Sequence, residues 1–589
     1  MANKGQFTKV NTLEFPFSVY SKAFQHNTTV NHGQLLPIDC FRVSPNEKIN
    51  YNDINMRIIL STPIKPIADS LEWHLRAYFV PDRLVWEHTK EFYGENKSSK
   101  GYDLTDRVIP YITNASVNPL NVDEDTFYNN GDVSLSIAKY LGQPINVIHG
   151  NDFVINSDGI HLDGTIDADT ALKVSVLKER GYYLIYNHYF RHPFLQDPYV
   201  INTGDTGAIG LHGLSTLYVD DPLLYVSKTF DYFTTALLDP TPFKVVLPLG
   251  TSAPVIGAST MHDLGTNGLK LGDGTANTGS YSTFNLQLTK DANTTGKAGA
   301  VYNGASAQTT NTNSTKKIVQ TNMVADLTNA TSATVDSLKL ALGMDTFFLR
   351  SNYSGGRFDL EMKLHYGAEV DELEIQEPLP LGSAKGYIQI SEILQTTGAA
   401  DSSSTSLGEQ GAYSTTIVRG KSLFTRRFKE PGHVFVMFYT RQANQTYSQG
   451  FLREDLKSTR FEFFTSELAG IASQEIKLAE IYAADSDAGT AIFGTQEAWS
   501  EERMRHDRNS GLMDPVVSSL GQIWTLGNYF TQKPTLSEDF ILENRNNISR
   551  VLKTTTDGPD YKVFYFARYR DENEVPVNPE SLLKAPFSF

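Results

Sequence analysis

A dense polar and aromatic segment lies late in the sequence: FGTQEAWSEERMRHDRNSGLMDP, from Phe493 to Pro515. We call it the 493–515 strip. Its Glu and Arg side chains are spaced closely enough to pair, and a tryptophan among them can anchor a contact. Acidic neighbours such as Glu501 and Glu502 could serve acid–base chemistry, but a chain with 67 carboxylates offers many such pairs. A solvated face is their ordinary explanation.

Two glycine-containing segments have only part of a phosphate-binding pattern. GKS at Gly420 to Ser422 lacks the earlier glycine of a phosphate loop, because Thr415 stands there, and a strand-like run follows it. GDGTANTG at Gly272 to Gly279 has Asn277 where a dinucleotide fingerprint needs its third glycine. Both segments are therefore predicted to be loops.

The sequence also gives little support for a metal site or for a catalytic nucleophile. His188 and His192 stand four residues apart with Asp197 nearby, a spacing that could bind a metal on a helix. No glutamate lies between them as in zinc proteases, and an aromatic cluster with surface histidines is the favoured interpretation. No nucleophile elbow is present, and Cys40 has no motif around it. We predict no catalytic residue, no cofactor and no metal, so the chain is not expected to be an enzyme.

Most of the secondary structure that the sequence predicts is β-strand. Leu71 to Pro81, LEWHLRAYFVP, alternates apolar with polar side chains and predicts a half-buried strand. His433 to Arg441 and Tyr561 to Arg570 are rich in β-branched and aromatic residues, which also predicts strands.

Helical patterns are fewer. Apolar spacing predicts helices over Ser332 to Met344 and over Thr465 to Ala483. In Phe358 to Tyr366, apolar and polar residues alternate as in a strand, but the residues themselves favour a helix. The pattern therefore leaves the secondary structure of this segment open.

Two segments are low in apolar content. Residues 251–334 are mostly Thr, Ser, Asn, Gly and Ala, and we predict a partly ordered surface insertion, with a disordered linker as the alternative. Residues 396–414 predict a second polar surface loop. If the core is a β-sandwich, eight strands of about six residues would use under roughly a tenth of the chain, so loops would supply most of the contact surface.

The composition of the chain limits the kinds of partner that it can bind. The 589-residue chain has a net charge of −16, which argues against a dedicated nucleic-acid binder but permits a basic inner face. The single cysteine, the N-terminus without an apolar stretch and the lack of a long apolar run predict no internal disulfide, no signal peptide and no membrane insertion. Candidate basic patches, which could face DNA or equally pair with Glu and Asp, contain Arg426, Arg427, Lys429, Arg505, Arg508, Arg568 and Arg570.

The 493–515 strip resembles the F-G-x-Q-E-x-W-x-E-x-R motif of major capsid proteins of the Microviridae, most closely the gokushovirus-like branch. The matching residues are Phe493, Gly494, Gln496, Glu497, Trp499, Glu501 and Arg503. Five more segments resemble the family in the same order: residues 26–38, 61–95, 182–197, 245–250 and 444–454. One departure is the strand LEWHLRAYFVP, where His74 and Arg76 replace a more phenylalanine-rich pattern.

The resemblance implies a mainly β protein, a single eight-stranded antiparallel jelly roll of the viral capsid type with long loop insertions and few helices. Residues 1–589 would form one capsid protein that assembles through pentamers into a T=1 icosahedral shell around circular single-stranded DNA. Residues 251–334 would form a variable protrusion that contacts a host receptor, such as a surface glycan. Other virion proteins, including a small basic DNA-packaging protein, would be partners, and assembly would occur in the bacterial cytoplasm.

Two alternatives remain for the chain as a whole. One is a β-rich carbohydrate-binding protein or glycoside hydrolase, although four tryptophans give few sugar-stacking platforms. The other is a phage spike protein, which would show repeats or a coiled coil. The role of the 493–515 strip is also open between an inter-subunit contact and an intramolecular clamp. If it is an inter-subunit contact, replacing Trp499 by alanine should give soluble protein that forms no shells.

Overall fold

The structure is a computed structural model. It describes residues 18–93, 95, 108–113, 137–142, 153–156, 159–162, 173–207, 223–238, six short strands between 255 and 325, 335–354, 358–367, 376–394, 410–471, 473–543, 545–553, 558–573 and 575. Most of the predicted insertion 251–334, and residues 396–409 of the second predicted loop, lie outside the described residues.

Nine strands make two antiparallel sheets. They are β1 (Ser18–Val30), β2 (Leu36–Val43), β3 (Lys48–Leu60), β4 (Leu71–Pro81), β5 (Leu379–Tyr387), β6 (Thr416–Lys421), β7 (Phe424–Arg427), β8 (Gly432–Gln442) and β11 (Tyr561–Asn573). Two further strands, β9 (Ser473–Lys477) and β10 (Ile492–Glu497), form a separate pair. The first sheet has the order β1-β11-β3-β6, and β7 also pairs with β3. The second has the order β5-β4-β8-β2.

The remaining described strands form small two-stranded pairs. In the larger unit these are Tyr111–Thr113 with Lys173–Ser175, Phe153–Asn156 with Gly159–Leu162, and Ile390–Leu394 with Gln410–Ser414. Within the smaller unit they are Val255–Gly257 with Met323–Ala325, Lys270–Gly272 with Lys317–Val319, and Leu286–Thr289 with Gly299–Tyr302. The two compact units are residues 1–240 with 350–589, and residues 241–349.

The first sheet has one buried and one exposed face. Along β11, Tyr561, Val563 and Tyr565 are fully buried, whereas Arg568 and Arg570 are exposed. Because strand side chains alternate, one face joins the main core and the other meets solvent. The predicted strand over Tyr561 to Arg570 is confirmed.

The central strands of the second sheet, β4 and β8, are buried on both faces. The predicted strands over Leu71 to Pro81 and His433 to Arg441 are confirmed, but the half-buried pattern expected for the first is wrong. The cause is a helix, α1 (Leu177–Tyr189), that packs on this sheet. The ring of Tyr189 lies 4.7 Å from that of Tyr78 on β4.

Helices occupy little of the described chain. The longer ones after α1 are α2 (Val335–Ser354) and α3 (Phe358–Tyr366). The helix predicted over Ser332 to Met344 is therefore confirmed in type and is longer than expected. Single-turn helices are Asp82–Val85, Thr89–Phe92, Ile137–Tyr140, Arg453–Leu456, Glu538–Ile541 and Asn546–Ser549, and Ser519–Trp524 is slightly longer. Among the described residues, no helix has the length and apolar character that crossing a membrane requires.

The helix predicted over Thr465 to Ala483 is wrong. This segment contains the 3-10 turn Ser466–Leu468, the strand β9 and the 3-10 turn Leu478–Glu480. Strand β9 pairs with β10, Ile476 opposite Gly494, and this non-local pairing overrides the local helical spacing.

Candidate assembly site

The 493–515 strip begins as the buried strand β10. Phe493 lies in a second apolar cluster, separate from the main core, with its ring 5.1 Å from that of Phe540 and 6.1 Å from that of Phe233. The main chain of Thr495 exchanges two hydrogen bonds with Leu237, at 2.7 and 2.8 Å. The strip is therefore anchored from both sides by its own chain.

Local packing and hydrogen bonding explain why the motif has glycine at position 494 and glutamine at position 496. A Cβ atom on Gly494 would lie 3.0 Å from Leu536 Cδ2 and 3.2 Å from the Leu237 carbonyl oxygen, so the close strand approach favours glycine. The buried Gln496 donates through Nε2 to the carbonyl oxygen of Tyr232 at 3.0 Å and to Thr235 Oγ1 at 2.7 Å. Both residues fix the strip to residues 232–237.

Trp499 turns the chain after β10. Its backbone has a φ of 63°, a left-handed conformation that is uncommon for a bulky residue. Its backbone N–H donates to Gln474 Oε1 at 3.0 Å, and its indole Nε1–H donates to the Leu468 carbonyl oxygen at 3.3 Å. The Phe464 ring packs edge-on against the indole at 5.5 Å. The half-buried tryptophan is thus held within its own subunit.

The charged residues of the motif are paired. Lys457 Nζ lies 3.0 Å from Glu501 Oε1, and both side chains are nearly buried. Burial raises the pKa of the Glu501 carboxyl, but contacts from Gln474 and Lys457 outweigh it and lower that pKa overall. Arg503 donates to Glu497 in a more exposed pair. The carboxylates of Glu501 and Glu502 approach the same lysine, as structural ion pairs do.

Around the strip, the surface is unusually apolar. Of the thirty-four large apolar side chains that are exposed in the described residues, twelve lie between residues 451 and 520. We call these twelve the exposed apolar set. Its members are Phe451, Phe461, Phe463, Phe464, Ile471, Ile492, Met504, Leu512, Met513, Val516, Val517 and Leu520. Phe461 is 79% exposed and Val517 is 68% exposed, a cost that a partner surface would remove.

The candidate DNA-facing residues separate into two places. Arg426 and Arg427 on β7, and Arg568 and Arg570 on β11, belong to the first sheet, because both strands pair with β3. Arg427 donates to Glu572 at 2.8 Å. The other candidates, Lys429, Arg505 and Arg508, are exposed and lie in connecting segments.

The structure separates the two histidines that could have shared a metal. Helix α1 ends at Tyr189, so His192 lies beyond it and the four-residue helical spacing is not formed. His188 approaches Glu377 at 3.6 Å, and His192 Nδ1 accepts from the Phe194 backbone N–H at 3.3 Å. In the described part of the chain, no cluster of three or more potential ligands is present.

Residues that hold the strip were missing from the sequence-based prediction. Lys457 and Gln474 contact Glu501, and Phe464 packs against Trp499, yet none belongs to a recognisable pattern. The one available signal was the run FEFF at Phe461 to Phe464, which is aromatic in a polar context.

Comparison with known proteins agrees with the resemblance. A family model described as "Capsid protein (F protein)" matches residues 8–153 and 149–583. Capsid protein VP1 of Bdellovibrio phage phiMH2K is 28% identical over 95% of this chain and 93% of its own. For capsid protein VP1 of Chlamydia phage 1, identity is 25% over 98% of this chain and 97% of its own. Spiroplasma virus 4 capsid protein VP1 is 24% identical over 98% of each. The chain therefore belongs to the F-protein family of phage capsid proteins.

Proposed function

We propose that this capsid protein is the self-assembling unit of a T=1 icosahedral shell that encloses circular single-stranded DNA. Its family consists of structural virion components rather than enzymes. The observation that carries the proposal is the exposed apolar set of residues 451–520, since an isolated subunit gains nothing from exposing it.

The strand order supports a jelly roll as the scaffold. We treat β6 and β7 as one edge position and number the eight positions along the chain. The first sheet then reads 1-8-3-6 and the second 5-4-7-2. Neighbouring strands in both sheets are antiparallel, and each sheet takes its strands from the whole length of the chain, as two interleaved Greek keys require. The long segments between positions 4 and 5, and between positions 7 and 8, would then carry the contacts between subunits.

Assembly would use the long segment between β8 and β11. The 493–515 strip fixes the chain on one side through Phe493, Gln496 and Trp499, so the neighbouring exposed side chains are presented by a rigid base. Aromatic and methionine side chains such as Phe461 and Met513 are typical of interface centres. The motif would therefore have an indirect role in assembly, as a support for the contact surface.

Contacts between the subunit and DNA would be weak and spread over many residues. Arg568 and Arg570 lie on the exposed face of the first sheet, where Arg57 also sits 5.9 Å over the Phe564 ring. Such basic and aromatic side chains suit single strands without sequence preference. Since the whole chain has a charge of −16, we propose that a small basic virion protein neutralises most of the genome.

Host attachment is assigned to the insertion 251–334. Its polar composition supports a surface role, with a host receptor such as a glycan as the partner. Assembly is proposed to occur in the bacterial cytoplasm.

Charge substitution in the exposed apolar set tests the proposal. Val517→Asp and Phe461→Asp should each give a folded subunit with unchanged thermal stability that fails to assemble, because each buries an unpaired charge in the contact. Val517→Thr, of nearly the same shape, is the matched control and should still assemble. Normal particle yield from both aspartate variants, measured by sedimentation, would refute this assignment of the contact surface.

A further inference from the structure

A cavity of about 640 Å³ opens on the second sheet, far along the chain from the motif. Strand β4 supplies Arg76 to its wall, strand β8 supplies Tyr439 and Arg441, and the end of α1 and the following turn supply Tyr189 and Arg191. The segment that holds Lys228 and Phe230 closes another side. This volume is in the range of sites for small organic ligands.

The cavity is strongly cationic in an acidic protein. Four of its described lining residues are basic, Arg76, Arg191, Lys228 and Arg441, against a single carboxylate, Glu377. That carboxylate lies 3.6 Å from His188. None of the basic residues predicted to face DNA lines the cavity. A concentration of cations in a wall of low dielectric constant selects an anionic ligand.

Three of the four cations place polar atoms out of contact with water. Lys228 is 5% exposed, and its ammonium group lies 5.0 Å from the centre of the Phe540 ring, with no carboxylate of the described residues within ion-pair distance. Burial lowers the pKa of Lys228, because the charged form has lost its water. The buried Nε atoms of Arg191 and Arg441 have no hydrogen-bond partner in the described structure. A buried ammonium group with only an aromatic ring beside it is costly, as are guanidinium nitrogens without a hydrogen-bond partner, and a bound anion would offset part of that cost.

Aromatic side chains line the same cavity. Phe230 is 69% exposed at the wall, and Tyr189 is partly exposed. Deeper in, the Tyr439 ring lies 5.9 Å from the Arg76 guanidinium carbon and is stacked on His74. Sites for neutral sugars rely on carboxylates and amides for the hydroxyl groups, and this wall is instead dominated by cations. A flat ring joined to a phosphate fits both the aromatic and the cationic parts.

From these features we propose that the cavity binds a nucleotide, with its phosphate near Lys228, Arg191 and Arg441 and its base against the aromatic wall. A second cavity of about 430 Å³ shares Arg76 and Tyr189 with the first, which leaves room for a neighbouring nucleotide. The ligand is then either a free nucleotide or one residue of a single strand. This inference goes beyond the proposed function, because it holds for the unassembled subunit.

Calorimetric titration of the full chain, under conditions that keep it unassembled, tests the proposal. Thymidine monophosphate should bind with one-to-one stoichiometry, while thymidine should bind at least about tenfold more weakly, because it lacks the charge-assisted contacts. A ten-residue oligothymidylate that competes with the monophosphate and binds more tightly would assign the site to a strand. Exclusion of the oligonucleotide would assign it to the free nucleotide.

Three variants locate the site. Lys228→Met and Arg441→Gln should each weaken monophosphate binding by about tenfold or more. Arg76→Gln, at a half-buried position, should weaken it as well and serves if a buried variant fails to fold. Lys421→Gln, on the exposed edge of the first sheet, is the control and should bind normally.

Three results would overturn the proposal: equal affinity for thymidine and its monophosphate, unchanged binding in the variants, or saturable binding of N-acetylneuraminic acid without binding of the monophosphate. None of these results bears on shell formation, so failure here is separable from failure of the proposed function.

Discussion

The indole nitrogen of Trp499 donates a hydrogen bond to the carbonyl oxygen of Leu468, which ties the motif's only tryptophan to a turn of its own subunit. The packing of Phe464 against the same indole completes an internal clamp. The proposed contact surface nearby would therefore depend on this clamp for its shape.

Replacing Trp499 by alanine should lower the free energy of unfolding. A fully buried tryptophan costs about 3–5 kcal/mol on truncation, and this half-buried one should cost about 2 kcal/mol. Urea denaturation followed by fluorescence measures the change. Trp499→Phe keeps the contact with Phe464 and should recover about half of it. An alanine variant as stable as the wild type would show that the clamp contributes nothing.

Gly494→Ala should destabilise the subunit by about 1–3 kcal/mol, because the new methyl group meets Leu536 and the backbone of Leu237. Gly489→Ala is the matched control, since a Cβ there meets no atom within 4 Å. The control should stay within about 0.5 kcal/mol of the wild type in the same denaturation experiment. Equal effects of the two substitutions would contradict the close approach seen at β10.

Arg545→Ala should cost about 3–5 kcal/mol, because it leaves the fully buried Asp560 carboxylate without its cation. Arg545 Nε donates to both Asp560 oxygens, at 3.0 and 3.2 Å. Arg503→Ala removes the exposed pair with Glu497 and should cost at most about 1 kcal/mol. Thermal unfolding compares the two, and similar losses would mean that burial of the pair does not govern its contribution.

Stability should depend on pH through Asp39. Its carboxyl accepts a hydrogen bond from the Tyr51 hydroxyl, and burial raises its pKa from 3.8 to about 6. Because the folded-state pKa exceeds the unfolded one, this contribution is fully present below about pH 4 and is lost as the pH rises through 6. Burial also raises the pKa of Glu179, to about 7, which acts in the same direction.

The matched variant is Asp39→Asn, which keeps an acceptor oxygen for Tyr51 but does not titrate. Between about pH 4 and pH 8, the wild type should lose about 3 kcal/mol more unfolding free energy than this variant. Urea denaturation at the two pH values gives the difference. Parallel pH profiles for the two proteins would show that the Asp39 carboxyl is not held in its neutral form.

Local pattern predicted the strands that are continuous runs of aromatic and β-branched residues, and it failed where distant pairing decides. Strands β8 and β11 follow directly from such runs. The spacing of Leu468, Ile471 and Ile476 indicated a helix, but β9 gains its partner from β10 about twenty residues later. The alternation in Phe358 to Tyr366 left that segment open, and its helix-forming residues account for the helix it adopts.

The resemblance to Microviridae capsid proteins, which rested on the 493–515 strip and on five further segments in the same order, is confirmed by the family match. The contacts of the strip were beyond prediction, because Lys457, Phe464 and Gln474 reach it only through the fold. The cationic cavity was equally hidden. Arg76, Lys228 and Arg441 are far apart in sequence, and Arg76 was noticed only as a departure from the family pattern.

The central claim is that this chain builds a closed shell from copies of itself. The most direct measurement is electron microscopy of the purified chain combined with its particle mass. The account predicts uniform small spheres of sixty chains, which at 65.5 kDa each gives about 3.9 MDa, or pentamers as their building blocks. A protein that stays monomeric at high concentration would contradict it.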